Sequence, residues 1–386
     1  MYQIVYSGID TLDIAFKGAF PKSVLETLEA ARTDAETSDQ VQPAQLGPGL
    51  SPVLVKPSGR KGGYRYVFDN GPAGAIFAAK PGSDPKQWNL FVSLRALRLL
   101  TLGYEGSKAW LSDTLAAMGF EITGTSVNRI DYAVDIHAPN FELDIENFIS
   151  PAQAKARSHW SKESWFEEDK HQPKSVLRGR RFESVTIGTM PNRQVILYDK
   201  RRAALDKREL YWFDAWKLDR NDPTARVWRA EIRAGRDALA KLIPHERTYE
   251  AVEAQLKPFL TKATQDIRYL EGPSAQKNVS RIPSHALWTT LQGAHESLPM
   301  RLPPPLLDAH AIEALRRQRL DMCLKQAYGN ALNVLVLDGI SPKEIAGNFD
   351  LYAARTAAAY ARDIGQEDIL KKAEEISQRL AFLSPP

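Results

Sequence analysis

The stretch Asn128-Arg129-Ile130-Asp131-Tyr132-Ala133-Val134-Asp135-Ile136-His137 decides how this chain folds. Ile130, Tyr132, Val134 and Ile136 fall on one side of an extended backbone. Arg129, Asp131, Asp135 and His137 fall on the other, with only Ala133 between them. A period of two marks a strand with one buried face. Its polar face carries two carboxylates, which repel each other unless positive charge lies between them. A hard divalent cation, which prefers oxygen ligands, supplies that charge. A solvated face on which Arg129 neutralises Asp131 fits the same residues, and the strand alone leaves both readings open.

Other segments extend the pattern. Residues 4–16 and 89–92 read as strands, and 64–68 with 75–79 as a hairpin around Asn70-Gly71-Pro72. Residues 185–188 and 194–198 form a second hairpin across the turn 189–193. In 227–233, Trp228, Ala230 and Ile232 face one way and Arg229, Glu231 and Arg233 the other. Helices are expected over 21–37, with Val24, Leu25, Leu28 and Ala31 on one stripe, and over 107–120. Residues 38–62 read as a loop and 138–175 as irregular. Strands joined by hairpins and interleaved with a few helices predict an α+β fold: a mostly antiparallel central sheet with flanking helices and a C-terminal helical region. Pro-rich breaks at 272–284 and 298–307 suggest a core over 1–250, a helical and Pro-rich connector over 251–310, and a helical region over 311–386.

Bulk composition narrows the class. A single cysteine, Cys323, excludes an internal disulfide framework and a four-cysteine zinc site. No run approaches the roughly 18 apolar residues of a membrane span. The first segment carries Asp10 and Asp13 without a basic leader, so a cytoplasmic protein with no membrane partner is expected. The net charge of +4 is unevenly spread: residues 1–150 hold 13 Lys and Arg against 17 Asp and Glu, whereas 151–247 hold 22 against 14. That middle third includes Arg178, Arg180, Arg181, Arg193, Lys200, Arg201, Arg202, Arg226, Arg229, Arg233 and Arg236. It is interleaved with Trp160, Trp165, Phe166, Tyr211, Trp212, Phe213, Trp216 and Trp228. Basic grooves with aromatic platforms hold single-stranded nucleic acid, although such rings also build cores.

Three motifs now stand in order: Arg129-Ile130-Asp131-Tyr132-Ala133-Val134-Asp135, then Ile187-Gly188 leading to Val195-Ile196-Leu197-Tyr198-Asp199-Lys200, then Arg229-Ala230-Glu231-Ile232-Arg233. Over roughly residues 5–250 the chain resembles the replication initiation factor family: Rep-trans-type rolling-circle replication initiators of plasmids, phage replication proteins and relaxases of conjugative elements. The turn Thr189-Met190-Pro191-Asn192 departs from the serine-rich basic turn of relatives. The resemblance implies a DNA-nicking endonuclease whose nucleophile, Tyr198, forms a 5′-phosphotyrosine linkage at an origin, assisted by Lys200. It implies Mg2+ or Mn2+ held by Asp131 and Asp135, with Asp13 or Asp10 and Glu231 as further ligands. It also implies DNA contacts from Arg129, Arg193, Arg201, Arg202, Arg229 and Arg233, to an origin duplex or hairpin and to the single strand at the nick. A host helicase and a homodimer are further expected partners.

Plain alternatives accompany these roles. A strand tyrosine is usually packing, and Glu231 between Arg229 and Arg233 also fits an ion-pair ladder. No His-hydrophobe-His triplet occurs among the seven histidines, so any metal site rests on carboxylates. The chain could also be a non-catalytic origin-binding or regulatory DNA-binding protein, or a nuclease that activates water. In the last segment, Ser341-Pro342-Lys343-Glu344 reads as a capped helix start. A helix-turn-helix fits there, as does a bundle that packs on the core or mediates self-association.

Overall fold

The computed structural model describes residues 2–71, 73–151, 176–178, 181–272, 281–296 and 308–380. Strand β1 (Gln3–Ala19) leads into helix α1 (Lys22–Ser38). Strands β2 (Gln42–Ala44), β3 (Val53–Val55), β4 (Tyr66–Asp69), β5 (Ala75–Ala79) and β6 (Trp88–Leu94) follow, then helix α2 (Ala96–Ala117) and strand β7 (Glu121–His137). Next come β8 (Phe148–Ile149), β9 (Val176–Arg178), β10 (Arg181–Gly188), β11 (Arg193–Asp199), α3 (Lys200–Asp206), α4 (Tyr211–Trp216) and β12 (Val227–Ala234). The chain continues through α5 (Arg236–Leu242), α6 (Tyr249–Asp266), β13 (Arg268–Tyr269), α7 (Ala286–Glu296), α8 (Asp308–Leu337), α9 (Pro342–Ile364) and α10 (Gln366–Leu380).

Eleven strands form one sheet in the order β2-β3-β4-β5-β6-β1-β7-β12-β11-β10-β9, and each pairing is antiparallel. The α+β architecture is the one the alternating segments call for. Ile130, Tyr132, Val134 and Ile136 join Leu12, Ile14, Phe77, Val92, Trp228 and Ile232 in the main core. That side is covered by α1, the second half of α2, and α5 to α7, so the period-two residues bury their apolar surface away from water there. Val252, Leu256, Trp288 and Leu291 belong to the same core. The span expected to be a connector over 251–310 therefore contributes α6 and α7 to the main packing.

The opposite face carries the charges. One end of it is roofed by a smaller core of Tyr6, Leu97, Leu100, Ala204, Tyr211, Trp212, Phe213, Trp216 and Val227. Helix α2 serves both layers because it bends at Gly103, where φ is 67° and ψ is −179°. A side chain is strained there, so glycine permits the bend. Helices α8 to α10 pack on one another in sequence, and α8 reaches α2 and α4. Ser341 and Glu344 form a reciprocal capping box at the start of α9. Helix α9 is interrupted at Asn348, where φ is −143° and ψ is 30°, so it divides into a short piece after Pro342 and a longer one ending at Ile364.

Candidate functional site

Register fixes which polar residues meet. Tyr198 on β11 pairs with Arg229 on β12, Arg229 with Asp135 on β7, and Asp135 with Tyr6 on β1. Directly paired residues on antiparallel strands point to the same face. A register shift between Ile9 and Thr11 leaves Asp10 as the extra residue of a bulge. Bulges re-aim side chains, and this one brings Asp10 to Arg229.

The centre of the site is Arg229, whose side chain is 0% exposed. Its Nε and Nη2 donate to the two oxygens of Asp135 at 2.5 and 2.8 Å, and its Nη1 donates to Asp10 at 2.5 Å. The guanidinium carbon lies 4.1 Å from the Trp212 ring centroid, and Trp216 Nε1 donates to Asp135 at 2.8 Å. Burial opposes the charge on Arg229, but Asp135, Tyr198 and Asp10 outweigh it and keep it ionised. Arg229 was an expected DNA contact. The structure corrects that: a guanidinium with no exposure is an internal clamp, out of reach of a phosphate.

A second layer lies two to four residues along β12 and four to six along β7. Arg129 Nε and Nη2 grip both oxygens of Asp131 at 2.7–3.0 Å. Arg233 Nε donates to Glu231 at 2.6 Å and lies 3.6 Å from Asp131. The Arg129–Asp131 pairing foreseen for a solvated face exists, yet Asp131 is fully buried. Arg129 and Arg233 keep about a quarter of their side chains exposed, at 25% and 26%. Burial opposes ionisation of Glu231, but Arg233, Arg229 and Arg129 prevail and hold its carboxyl low.

Tyr198 joins the layers. Its hydroxyl lies 3.5 Å from Glu231 Oε2, and the residue is half-buried. Burial pushes its phenol well above the ordinary value, opposed by Arg229 and reinforced by Glu231, Asp10 and Asp135. The phenol is therefore protonated at neutral pH. Lys200 is not on the strand, as its spacing from Tyr198 suggested. The strand ends at Asp199, which caps α3 by accepting from the Arg202 amide, and Lys200 is the first helical residue. Its ammonium contacts Glu209 at 3.2 Å and sits 4.5 Å from the Trp212 centroid. Burial lowers its pKa, Arg229 adds to that, and Glu209 opposes it.

The expected metal ligands are thus individually occupied. Both oxygens of Asp131 face Arg129, and both of Asp135 face Arg229. Glu231 holds Arg233, and Asp13 accepts from Ser93 Oγ at 2.6 Å. Asp10, not Asp13, enters the Arg229 layer. Among the described residues, no three His, Cys, Asp or Glu side chains are grouped to hold a metal ion. As arranged, these donors do not fit a divalent cation, because guanidinium groups already supply the charge the acids require.

The remaining expected DNA contacts are also engaged within the chain. Arg193 pairs with Asp266 at 3.0 Å, Arg201 donates to the carbonyls of Arg220 and Asp222, and Arg202 pairs with Asp206 at 3.1 Å. Tyr211, Trp212, Phe213, Trp216 and Trp228 are buried, so they are not a surface platform. Trp160, Trp165, Phe166 and Arg180 lie outside the described residues. Tyr6, Glu209, Trp212 and Trp216 complete the site, and no local pattern singled them out in this role.

No family model matches this sequence, and no curated protein matches it. Among solved structures, one described as the structure of a rolling circle replication initiator protein from Geobacillus stearothermophilus is similar at 15% identity. The match covers 78% of this chain and 99% of that one, with a TM-score of 0.38. At that distance the roles of residues rest on the geometry of this chain itself. Among the described residues, no helix is long and apolar enough to cross a membrane.

Proposed function

We propose that this chain nicks one strand of DNA by attack of Tyr198, as rolling-circle replication initiators and relaxases do. The observation that carries the reading is the Tyr198 hydroxyl held 3.5 Å from Glu231 Oε2, on a sheet face that also presents Arg129 and Arg233. A phosphodiester bringing negative charge to that rim meets two partly exposed guanidinium groups, which match its oxygens in geometry. Tyr198 Oη bonds to phosphorus and the bond from phosphorus to the 3′ oxygen breaks. The phenolic proton ends on that oxygen as a 3′-hydroxyl, and Glu231 Oε2, 3.5 Å from the phenol, is an acceptor on its route. The DNA 5′ phosphate stays on the tyrosine, and the energy of the broken ester is kept for resealing. A host helicase and a homodimer belong to the same reading.

The test is covalent capture. Circular single-stranded DNA and a random single-stranded pool are incubated with the protein in Mg2+, in Mn2+ and in chelator, then resolved under denaturing conditions. A protein–DNA adduct whose phosphotyrosine maps to Tyr198, and which disappears in Tyr198→Phe, is expected. An adduct that persists in Tyr198→Phe refutes the assignment. A second reading, a non-catalytic origin-binding protein, is favoured by one observation: burial pushes the Tyr198 phenol well above its ordinary value, which makes it a poor nucleophile. It predicts salt-sensitive binding without an adduct. Cutting without attached protein would point instead to water as nucleophile.

A further inference from the structure

The aromatic-rich segment 211–216 is core, but the structure assembles a different set of rings on the same sheet face as Tyr198. Lys17 Nζ lies 4.9 Å from the Trp88 ring centroid, Arg60 Cζ lies 4.3 Å from that of Phe91, and Lys80 Nζ lies 5.2 Å from that of Tyr64. Tyr64 and Phe91 meet edge to face at 6.2 Å. All six residues are half-buried and reach solvent. They come from four separate places: β1, the residue just after β5, β6 and the hairpin between β3 and β4.

This patch is continuous with the candidate site. Phe91 pairs with Ala15, and Ser93 pairs with Asp13, which pairs with Arg129 on β7. From the strand of Tyr198 to that of Phe91 there are four strand spacings, roughly 19 Å, and the nine residues from Tyr6 to Ala15 add roughly 30 Å along the strand. The patch is also braced. The Arg60 amide donates to the Tyr64 carbonyl at 2.8 Å, closing the hairpin over Phe91. The Asn89 side chain donates to the carbonyls of Gly18 and Asp84, both at 2.8 Å, and its own carbonyl accepts from Lys80 at 2.8 Å.

We propose that this surface docks the single-stranded DNA flanking the bond presented to Tyr198. The proposal rests on the strand-cutting reading for the position of the bond, but not for the binding itself. Single strands are held by cations that follow the phosphates and by flat groups on which bases stack. A guanidinium laid on Phe91 is such a plane, and lysines beside Trp88 and Tyr64 place charge within reach of the phosphates on either side. Duplex DNA hides its bases and gains only the charge.

The experiment uses the full chain carrying Tyr198→Phe, so that its result does not depend on strand cutting. Fluorescence anisotropy with a labelled oligothymidylate and a labelled duplex, each across a salt series, gives affinity and slope. Arg60→Ala/Trp88→Ala is expected to bind the single strand at least about tenfold more weakly, the scale of a lost stacking contact, with duplex binding little changed. Lys17→Gln/Lys80→Gln, which leaves the rings in place, is expected to flatten the single-strand salt slope by roughly 1.4, at about 0.7 per phosphate contact. Thermal melting checks that each variant is folded, and the lysine pair stands as the test if the first pair is not. Unchanged single-strand affinity and slope in folded variants overturns the proposal, as does an equal loss on duplex. If wild type forms no adduct while these variants still lose single-strand binding, the cutting reading falls and the docking surface remains.

Discussion

Replacing Arg229 by methionine tests the internal clamp. The change keeps most of the side chain's bulk and removes three hydrogen bonds, two to Asp135 at 2.5 and 2.8 Å and one to Asp10 at 2.5 Å. Asp135 is 0% exposed and would keep Trp216 Nε1 as a donor. Removing one partner of a buried ion pair costs about 3–5 kcal/mol, because the other charge is left without compensation. Asp10, at 15% exposure, regains some water, so its share is smaller. We expect a loss near the upper end of that range, a fall in melting temperature of roughly 6 °C for a chain of this length. Urea unfolding followed by tryptophan fluorescence and circular dichroism measures it. Adding Asp135→Asn to Arg229→Met removes the stranded charge and should restore about 2–3 kcal/mol, a coupling typical of contacting residues. A loss below about 1 kcal/mol, or no recovery in the double variant, refutes the claim that the guanidinium compensates buried carboxylates.

Three more outcomes follow from the same structure. Trp216→Phe removes the indole donor to Asp135 and should cost about 1–3 kcal/mol in urea unfolding, with the effect shrinking in an Asp135→Asn background. Gly188 holds φ at +94° and a Cβ there would sit 2.1 Å from the Arg193 carbonyl oxygen. Gly188→Ala should therefore cost at least about 1–3 kcal/mol and weaken the hairpin that carries Tyr198, read by melting and by hydrogen exchange of 193–199. His295 is 1% exposed, and burial lowers its pKa from 6.5 to about 4. Below pH 6.5 the unfolded chain takes up a proton that the folded chain refuses, so this contribution to stability is lost as pH falls from about 6.5 to 4. It is worth roughly 3 kcal/mol in full, and His295→Phe should remove that part of the pH dependence of the urea midpoint.

Much of the sheet was legible because strand patterning is local. The alternations at 128–137 and 227–233 name their buried faces residue by residue, and both faces are where the patterns put them. The segments 200–206 and 211–216 were harder. Lys200 reads as a strand continuation until Asp199 is seen capping a helix, and rings mixed with charges serve equally as a platform or a core. Helix α4 became core because it lies over a charged sheet face that needed an apolar roof, a fact about its neighbours and not about its own residues.

The residue types, the order of the strands along the chain and the face each side chain takes were set by the sequence through steric periodicity. Partnership was decided only in three dimensions. Arg229 meets Asp135 at a separation of 94 residues and Asp10 at 219, the latter through a bulge that no spacing rule announces. Two acids on one strand predict that positive charge must come. Only the packed sheet shows that it comes from guanidinium groups, because buried carboxylates take whichever cation the neighbouring strands already hold against them.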